Sequence, residues 1–569
     1  MLTSIWRLIT NLTSLPLMPF FWFSRRRAMR RGSWLELRLE RRIVPFNVPS
    51  TPFSRWLPNL RSPVKRTSVQ AIRRLVDYVV DDPVVKGVVV HVQQFQAGWA
   101  TVEGLCRELQ RLKDANKRVV VWLPEGGGNR ELYLCSAASE VWISPQAGFG
   151  PIGLVATVQY LRPVLDKLGI ELHVEARHEF KTAMEPYVRD SMSSSQREQT
   201  GALLDTIDHR LRDALANRGA DADAVMAAGM LSGKMAVDAK LADGLCYEDE
   251  LAPKFLEGRK STFADAFQRL RMYQSVWWRP VRRPKYVAVL DVRGTIVQSR
   301  GSRPSRGLVD AESMVRKLRR IRKDKRAIGA VLAITSPGGS ALASDLIHRE
   351  VATLAKEKPV VAWFGDVAAS GGYYIAAPAS SIVAESTTIT GSIGVIMARP
   401  VVESALNKIG IVTERVRRSP HGDMLSSSRP LDAAEVEILQ READSYYESF
   451  VKVVASGRKR TYDEVEPLAR GRVWSGADAE SKGLVDGLGG LEVAIAQVRT
   501  QHGAAADDLS IPGLVVPTPR ERIAAPWPEE SKAQVQSLLA DALGLHELVA
   551  LAQGREHHWY IAPGLPTIE

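Results

Sequence analysis

The chain has 569 residues, 45% of them hydrophobic and 25% charged, with a formal net charge of +12 at pH 7. That length exceeds one ordinary core and predicts two domains of common size, and the balance of apolar and charged residues excludes a disordered or multi-spanning chain. Three cysteines, Cys106, Cys135 and Cys246, are too few and too unevenly spaced for a disulfide framework or a zinc site, and the scattered basic residues form no zinc-finger, RNA-recognition or helix-turn-helix signature, so no nucleic-acid partner is expected.

The segment 1–31 is rich in Leu, Ile, Phe and Trp and then meets Arg25, Arg26, Arg27, Arg30 and Arg31. A spanning helix needs about 20 mostly apolar residues, and Pro16 and Pro19 interrupt this one. A cleaved signal peptide places its charge before the apolar stretch, the reverse of the order here. The pattern predicts an interfacial anchor with Trp6, Phe20, Phe21 and Trp22 at headgroup level; the competing reading is an unstructured leader. A second basic cluster, from Arg279 to Lys285, also suits an anionic membrane surface. Association with the plasma membrane is expected, with the face left open.

Past the anchor, the chain repeats itself. LDKLGI at 165–170 matches LNKIGI at 406–411, an offset of 241, and GPIG at 150–153 matches GSIG at 391–394 at the same offset. YLCSAASEVWISP from Tyr133 matches YIAAPASSIVAES from Tyr374, and KGVVVHV from Lys86 matches IGAVLAI from Ile328 with a shift of one. Blocks in one order at a nearly constant offset mark a duplicated domain. Each copy predicts a short apolar strand (88–92; 330–334), a helix (102–115; 343–356), a buried strand (119–122; 360–363), a further helix, and a short strand near Val141 or Ile382. That alternation implies βαβ units and a parallel sheet, an α/β fold built twice. The copies are assigned to 32–250 and 286–502. Between them lies a linker, 251–285, whose Trp277, Trp278, Arg279, Arg282 and Arg283 suit a membrane surface or an interdomain clasp. The extension 503–569, with a helical stretch at 531–552, has no assigned role.

The copies diverge where chemistry would sit. In the second, the first strand runs into Thr335-Ser336-Pro337-Gly338-Gly339-Ser340, whose glycines let backbone N–H groups approach a ligand; the first copy has Gln93-Gln94-Phe95-Gln96-Ala97-Gly98 there. The next strand leads to Ala369-Ser370-Gly371-Gly372-Tyr373, a serine on a tight small-residue turn before a helix, as in a nucleophile elbow. In the first copy Asn129 replaces that serine, and Arg130 and Glu131 replace the glycines, so this copy is read as inactive. Conversely, Lys181 in RHEFKTAMEPYVRD (177–190) falls opposite Gly422. Serine from one copy and lysine from the other is the pattern expected of one site assembled from both, although a lysine in a loop is by itself ordinary surface charge.

A serine hydroxyl needs an adjacent base. Lysine serves only when neutral, so its ordinary value near 10.4 must fall by roughly 3, equivalent to about 4 kcal/mol, which burial can supply. Phe180 and Met184 are suitable desolvating neighbours, and the Ser392 hydroxyl is placed to hold the neutral amine. Amides at Gly338 or Gly339, and at Gly371, are the candidate donors to a tetrahedral oxyanion.

Together DVAASGGYYIA (366–376), TSPGGS (335–340), TGSIG (390–394) and FKTAMEPYVRD (180–190) resemble the motifs of signal peptide peptidase A (protease IV) in its long, duplicated form, over roughly residues 35–500. The resemblance implies a tandem duplication of a Clp-protease/crotonase-like domain, with Ser370 as nucleophile, Lys181 as base and Ser392 orienting the lysine. It also implies a homotetramer that degrades signal peptides left in the membrane, takes small and apolar side chains, and needs no metal or cofactor. The prolines at the N-terminus depart from the spanning anchor of the longer members, and the extension after about 503 lies outside the resemblance.

Three rivals remain. An acyl-CoA enzyme on the crotonase fold would share the backbone donors but wants acidic residues beside them, for which Asp366 is a thin case. A non-catalytic membrane scaffold predicts loss of Ser370 or Lys181, and both are present. A Ser-His-Asp hydrolase would draw on His178 or His421, for which surface or structural roles are the expectation.

Overall fold

The computed structural model describes residue 19 and residues 34–47, 67–256, 263–274, 284–298 and 307–516, with the backbone of 558–561 and 567–568. The expected anchor at 1–31 lies outside these apart from residue 19, as do the tryptophans and arginines at 277–283 and the helical stretch at 531–552. Among the described residues no helix is long and apolar enough to cross a membrane.

Two compact units form. The first holds residues up to 155 together with 205–285. Its six-stranded sheet runs Ala264–Asp265, Trp34–Arg42, Gly87–Gln96, Arg118–Leu123, Glu140–Ile143, Gly244–Leu245, with every neighbour parallel. The valine runs at 88–90 and 119–121 sit fully inside it, as strands covered on both faces require. The helix Trp99–Asp114 buries Val102, Leu105, Leu109 and Leu112, the three-and-four spacing of a single helical face.

Residues 156–204 and 286–568 make the second unit. Its main sheet orders Val473–Ser475, Ile389–Gly391, Val360–Ala369, Ala327–Ser336, Tyr286–Arg293 and Gly513–Val515, with Ser381–Ala384 and Gly487–Leu488 branching from the third strand. Val360–Ala369 pairs along its first half with Ser381–Ala384 and along its second with Ile389–Gly391, both parallel. That split brings its end, just before Ser370, alongside Gly391. A further sheet runs Leu308–Asp310, Thr295–Val297, Gly338–Ser340, His558–Ile561, Ile396–Val401, Glu171–Ala176.

The compact units divide the chain differently from the repeat. The arm 156–204, part of the front copy by sequence, joins the unit built from the back copy. The cause is local: Glu171–Ala176 pairs antiparallel over six residues with Ile396–Val401, and Leu165, Leu172, Met184 and Tyr187 share a buried cluster with Ile396 and Ala398. The described residues of the expected linker, 251–256 and 263–274, are packed into the first unit. Leu251, Phe255 and Leu256 pack with Trp34, Val89, Val120 and Trp122, and Arg269 makes a buried 2.7 Å ion pair with Asp82. Residues 513–515 and 558–561 of the extension are strands of the second unit.

Candidate active site

Ser370 follows the strand Val360–Ala369 and opens the helix Gly371–Ala376. Its backbone sits at φ 55°, ψ −118°, a conformation that side chains other than glycine seldom hold unless neighbours enforce it. The enforcing contacts are its N–H, which donates to the Gly391 carbonyl at 2.8 Å, and its carbonyl, which accepts from the Tyr374 N–H at 2.9 Å. The hydroxyl makes no capping bond to the helix it precedes and is left facing Lys181.

Lys181 arrives on the arm, in the turn before Thr182–Met184. Its ammonium nitrogen lies 3.0 Å from Ser370 Oγ, 2.9 Å from Ser392 Oγ and 2.9 Å from the Ser392 carbonyl oxygen. Lys181, Ser370 and Ser392 are all buried. Burial strips the ammonium of water and lowers the lysine pKa to about 7. The three oxygens then define the hydrogens. A carbonyl oxygen only accepts, so one N–H of the neutral amine goes to Ser392 O; with the second on Ser392 Oγ, the lone pair is left on the side of the Ser370 hydroxyl.

Ser392, the predicted orienting residue, thus holds the lysine twice, once through its backbone. It too has a positive φ, 50°, and its N–H donates to the Arg472 carbonyl at 2.7 Å. Of the predicted oxyanion donors, Gly338 has its N–H engaged by Ser336 Oγ at 3.1 Å, whereas Gly339 lies in the next strand position and Gly371 is the first residue of the helix after Ser370. At Gly339, φ 154°, a Cβ would meet the Ile296 carbonyl oxygen at 2.0 Å, so glycine is a steric requirement at this position.

Met184 packs in the buried cluster that joins the arm to Ile396 and Ala398. Phe180 is half-buried, with the Arg472 guanidinium 4.6 Å above its ring. The two histidines take the structural roles expected of them: the His178 ring lies 4.6 Å from that of Tyr447, tilted by 49°, and His421 Nδ1 lies 3.5 Å from Glu435.

Two residues that motif reading missed hold the lysine in place. Gly471, at φ 78°, lies so close that a Cβ there would stand 2.6 Å from Lys181 Cβ and 2.7 Å from its backbone nitrogen. Buried Gln199 donates to Thr182 Oγ1 at 2.7 Å and to the Phe180 carbonyl at 3.3 Å, while its oxygen accepts from the Val473 N–H at 3.2 Å. It ties both sides of Lys181 to the strand beyond Gly471. Neither residue bears reacting chemistry, so only their place in the packing marks them.

In the first unit the counterpart of Ser370 is closed off. The Asn129 amide donates to the Gly153 carbonyl and accepts from the Gly153 N–H, both at 2.9 Å.

Residues 111–261 and 352–505 match Peptidase family S49. Serine protease SPPA, chloroplastic, of Arabidopsis thaliana is 34% identical over 431 residues, 73% of this chain and 63% of that protein, so the match spans just under two thirds of the plant protein. Protease 4 of Salmonella typhi is 32% identical over 447 residues, 75% of this chain and 70% of its own. Protease 4 of Haemophilus influenzae is 29% identical over 462 residues, 76% and 73% respectively. The acyl-CoA and scaffold readings find no support among these relatives. With one S49 segment in each half and two α/β units, the chain belongs to peptidase family S49 in its long, duplicated form.

Proposed function

We propose that the chain is a serine endopeptidase in which Ser370 is the nucleophile and Lys181 its general base, and that it hydrolyses residual signal peptides and other small apolar peptides at a membrane. Ser370 Oγ attacks the scissile carbonyl carbon as its proton passes to Lys181 Nζ. The oxyanion formed is held by the N–H groups of Gly339 and Gly371, each such donor being worth roughly 3–4 kcal/mol in the transition state. As the C–N bond breaks, Lys181 returns the proton to the leaving amine. Water, deprotonated by the same lysine, then attacks the acyl-enzyme and frees Ser370.

The observation that supports this reading is the 3.0 Å approach of a buried amine, its pKa lowered to about 7, to the hydroxyl of Ser370. The relatives' names support peptide hydrolysis. The membrane setting draws on the basic clusters of the sequence, and a homotetramer belongs to the same reading through the family resemblance. Ser370→Ala and Lys181→Ala are each expected to abolish cleavage of an apolar peptide ester while circular dichroism and thermal melting stay close to the parent. Turnover by purified Ser370→Ala protein at parental rates overturns the assignment.

A further inference from the structure

The strand Val473–Ser475 and the residue before it touch both halves of the site. Gly391, whose carbonyl takes the Ser370 N–H, pairs antiparallel with Val473, and a Cβ at Gly391 would meet Trp474 Cδ1 at 2.8 Å and the Arg472 carbonyl oxygen at 2.9 Å. That same carbonyl accepts the Ser392 N–H at 2.7 Å. The Arg472 side chain reaches the arm. Its guanidinium carbon lies 4.6 Å from the centre of the Phe180 ring and 4.4 Å from that of Trp474, and one terminal nitrogen is 2.7 Å from Glu198. Nε is buried and makes no hydrogen bond. Glu198 is 55% exposed, and an exposed ion pair holds little, so the two ring faces fix the guanidinium. Lys181 is buried while Phe180, its neighbour in the chain, is only half-buried. The edge of the dry region therefore falls at Phe180, under Arg472.

We propose that Arg472 is a positioning residue for the reaction: its guanidinium, stacked on Phe180 and Trp474, locks the turn that carries Lys181 to the strand that braces Ser370, and closes that edge of the site to water. The role rests on the peptidase reading of Ser370 and Lys181. Arg472 touches no reacting atom. It acts through Phe180 on the base, through its own carbonyl on Ser392, and through Trp474 on Gly391. The other charges around the turn are Arg470 with Glu466 and Glu179, His178 near Glu466, Arg177 paired with Asp444, and Lys482 over the Trp474 ring. Loss of the Arg472 side chain removes a like charge, leaves Glu198 unpaired by it and admits water. All three changes favour the ammonium form of Lys181.

The test uses the full chain. Arg472→Ala is expected to lower kcat for an apolar peptide ester about 10²-fold, the loss that follows a shift on the order of 1 Å between reacting groups, with KM held within about twofold. The acid limb of kcat/KM should move up by about one pH unit as Lys181 regains water. Arg472→Lys keeps a cation over the rings without the planar face and should recover about tenfold of the lost kcat. Phe180→Leu, which keeps apolar bulk at the turn, is the second variant and should show the same shift of the limb; combined with Arg472→Ala, the two losses should not add. Glu198→Ala should cost less than about fivefold, and a loss as large as that of Arg472→Ala would replace the stack by the ion pair. The titration is also read without turnover, from the NMR signal of the Lys181 Cε methylene in lysine-labelled Ser370→Ala protein, assigned by its disappearance in Lys181→Met. A limb and a signal that keep their parental midpoints in Arg472→Ala and Phe180→Leu, whatever the melting temperatures, overturn the role of Arg472 and leave the Ser370 and Lys181 chemistry untouched. Turnover by Ser370→Ala overturns that chemistry instead, and the NMR titration still decides whether Arg472 keeps Lys181 dry.

Discussion

Lys181 and Ser370, 189 positions apart in the chain, stand 3.0 Å apart within one compact unit. The distance is short enough for direct proton transfer, and the environment decides which way the proton rests. Burial alone brings the lysine to about 7, so near neutral pH roughly half of the molecules carry a free lone pair aimed at the serine.

Activity should follow that titration. Below pH 7 the ammonium has no lone pair with which to take the Ser370 proton, so kcat/KM is expected to rise through an acid limb near pH 7 and then level off. Lys181→Arg keeps positive charge at every accessible pH, so it should lose about 10⁴-fold or more in kcat with no recovery at pH 10. Initial rates on an apolar peptide ester from pH 5 to 10 check both. A limb that stays in place when Lys181 is replaced would assign it to another group.

How much of this was legible in the sequence depends on what each feature needs. The valine runs at 88–90 and 119–121 and the alternation of strand and helix gave the parallel sheets, since a strand covered on both faces must be apolar throughout. Ser370 and Lys181 emerged because each repeat lacks what the other has. The partition of the chain was not legible: the arm 156–204 leaves its own repeat through backbone pairing of Glu171–Ala176 with Ile396–Val401, and backbone pairing leaves little trace in side-chain identity. Gly471 was hidden for a related reason, because its smallness matters only once Lys181 packs on it. Gly338 looked equivalent to Gly339 until the Ser336 hydroxyl was seen on its N–H.

The lysine is expected to be a stability burden. Between the folded value of about 7 and the ordinary 10.5, the unfolded chain holds a proton that the folded chain does not, so stability rises with pH across that window. The penalty is full below pH 7 and absent above 10.5; the fall from 10.5 to about 7 caps it at roughly 5 kcal/mol. Lys181→Met removes the penalty but leaves the Ser392 oxygens without the amine, so a net gain of about 1–3 kcal/mol is expected at pH 6. Thermal melts of parent and variant should differ most at pH 6 and converge toward pH 10. A difference independent of pH would make it packing rather than charge.

Gly471→Ala tests the packing behind the base. The added methyl group meets the Cβ and backbone nitrogen of Lys181 at a backbone angle that alanine also resists. Lys181 must shift, and a displacement on the order of 1 Å between reacting groups lowers rate by about 10²-fold. The expected result is a large fall in kcat, with stability lower by about 1–3 kcal/mol, and slower labelling of Ser370 by a serine-reactive phosphonate. Unchanged labelling alongside reduced stability would make Gly471 a residue of the fold alone.

Asn129→Ser asks whether the front copy can be reawakened by restoring its serine. The asparagine amide is closed on the Gly153 backbone by two bonds, and a serine hydroxyl is too short to replace both. The position opposite Lys181 in the repeat is Gly422, so the duplication supplies this serine with no matching base. In a Ser370→Ala background the variant should therefore show no peptidase activity, and it should lose about 1–3 kcal/mol of stability as the Gly153 groups go unsatisfied. Cleavage assays and thermal melts on the double variant check both. Turnover by it would mean that a serine in the front copy finds a base elsewhere, and that one lysine meeting one serine is not the only working arrangement of this chain.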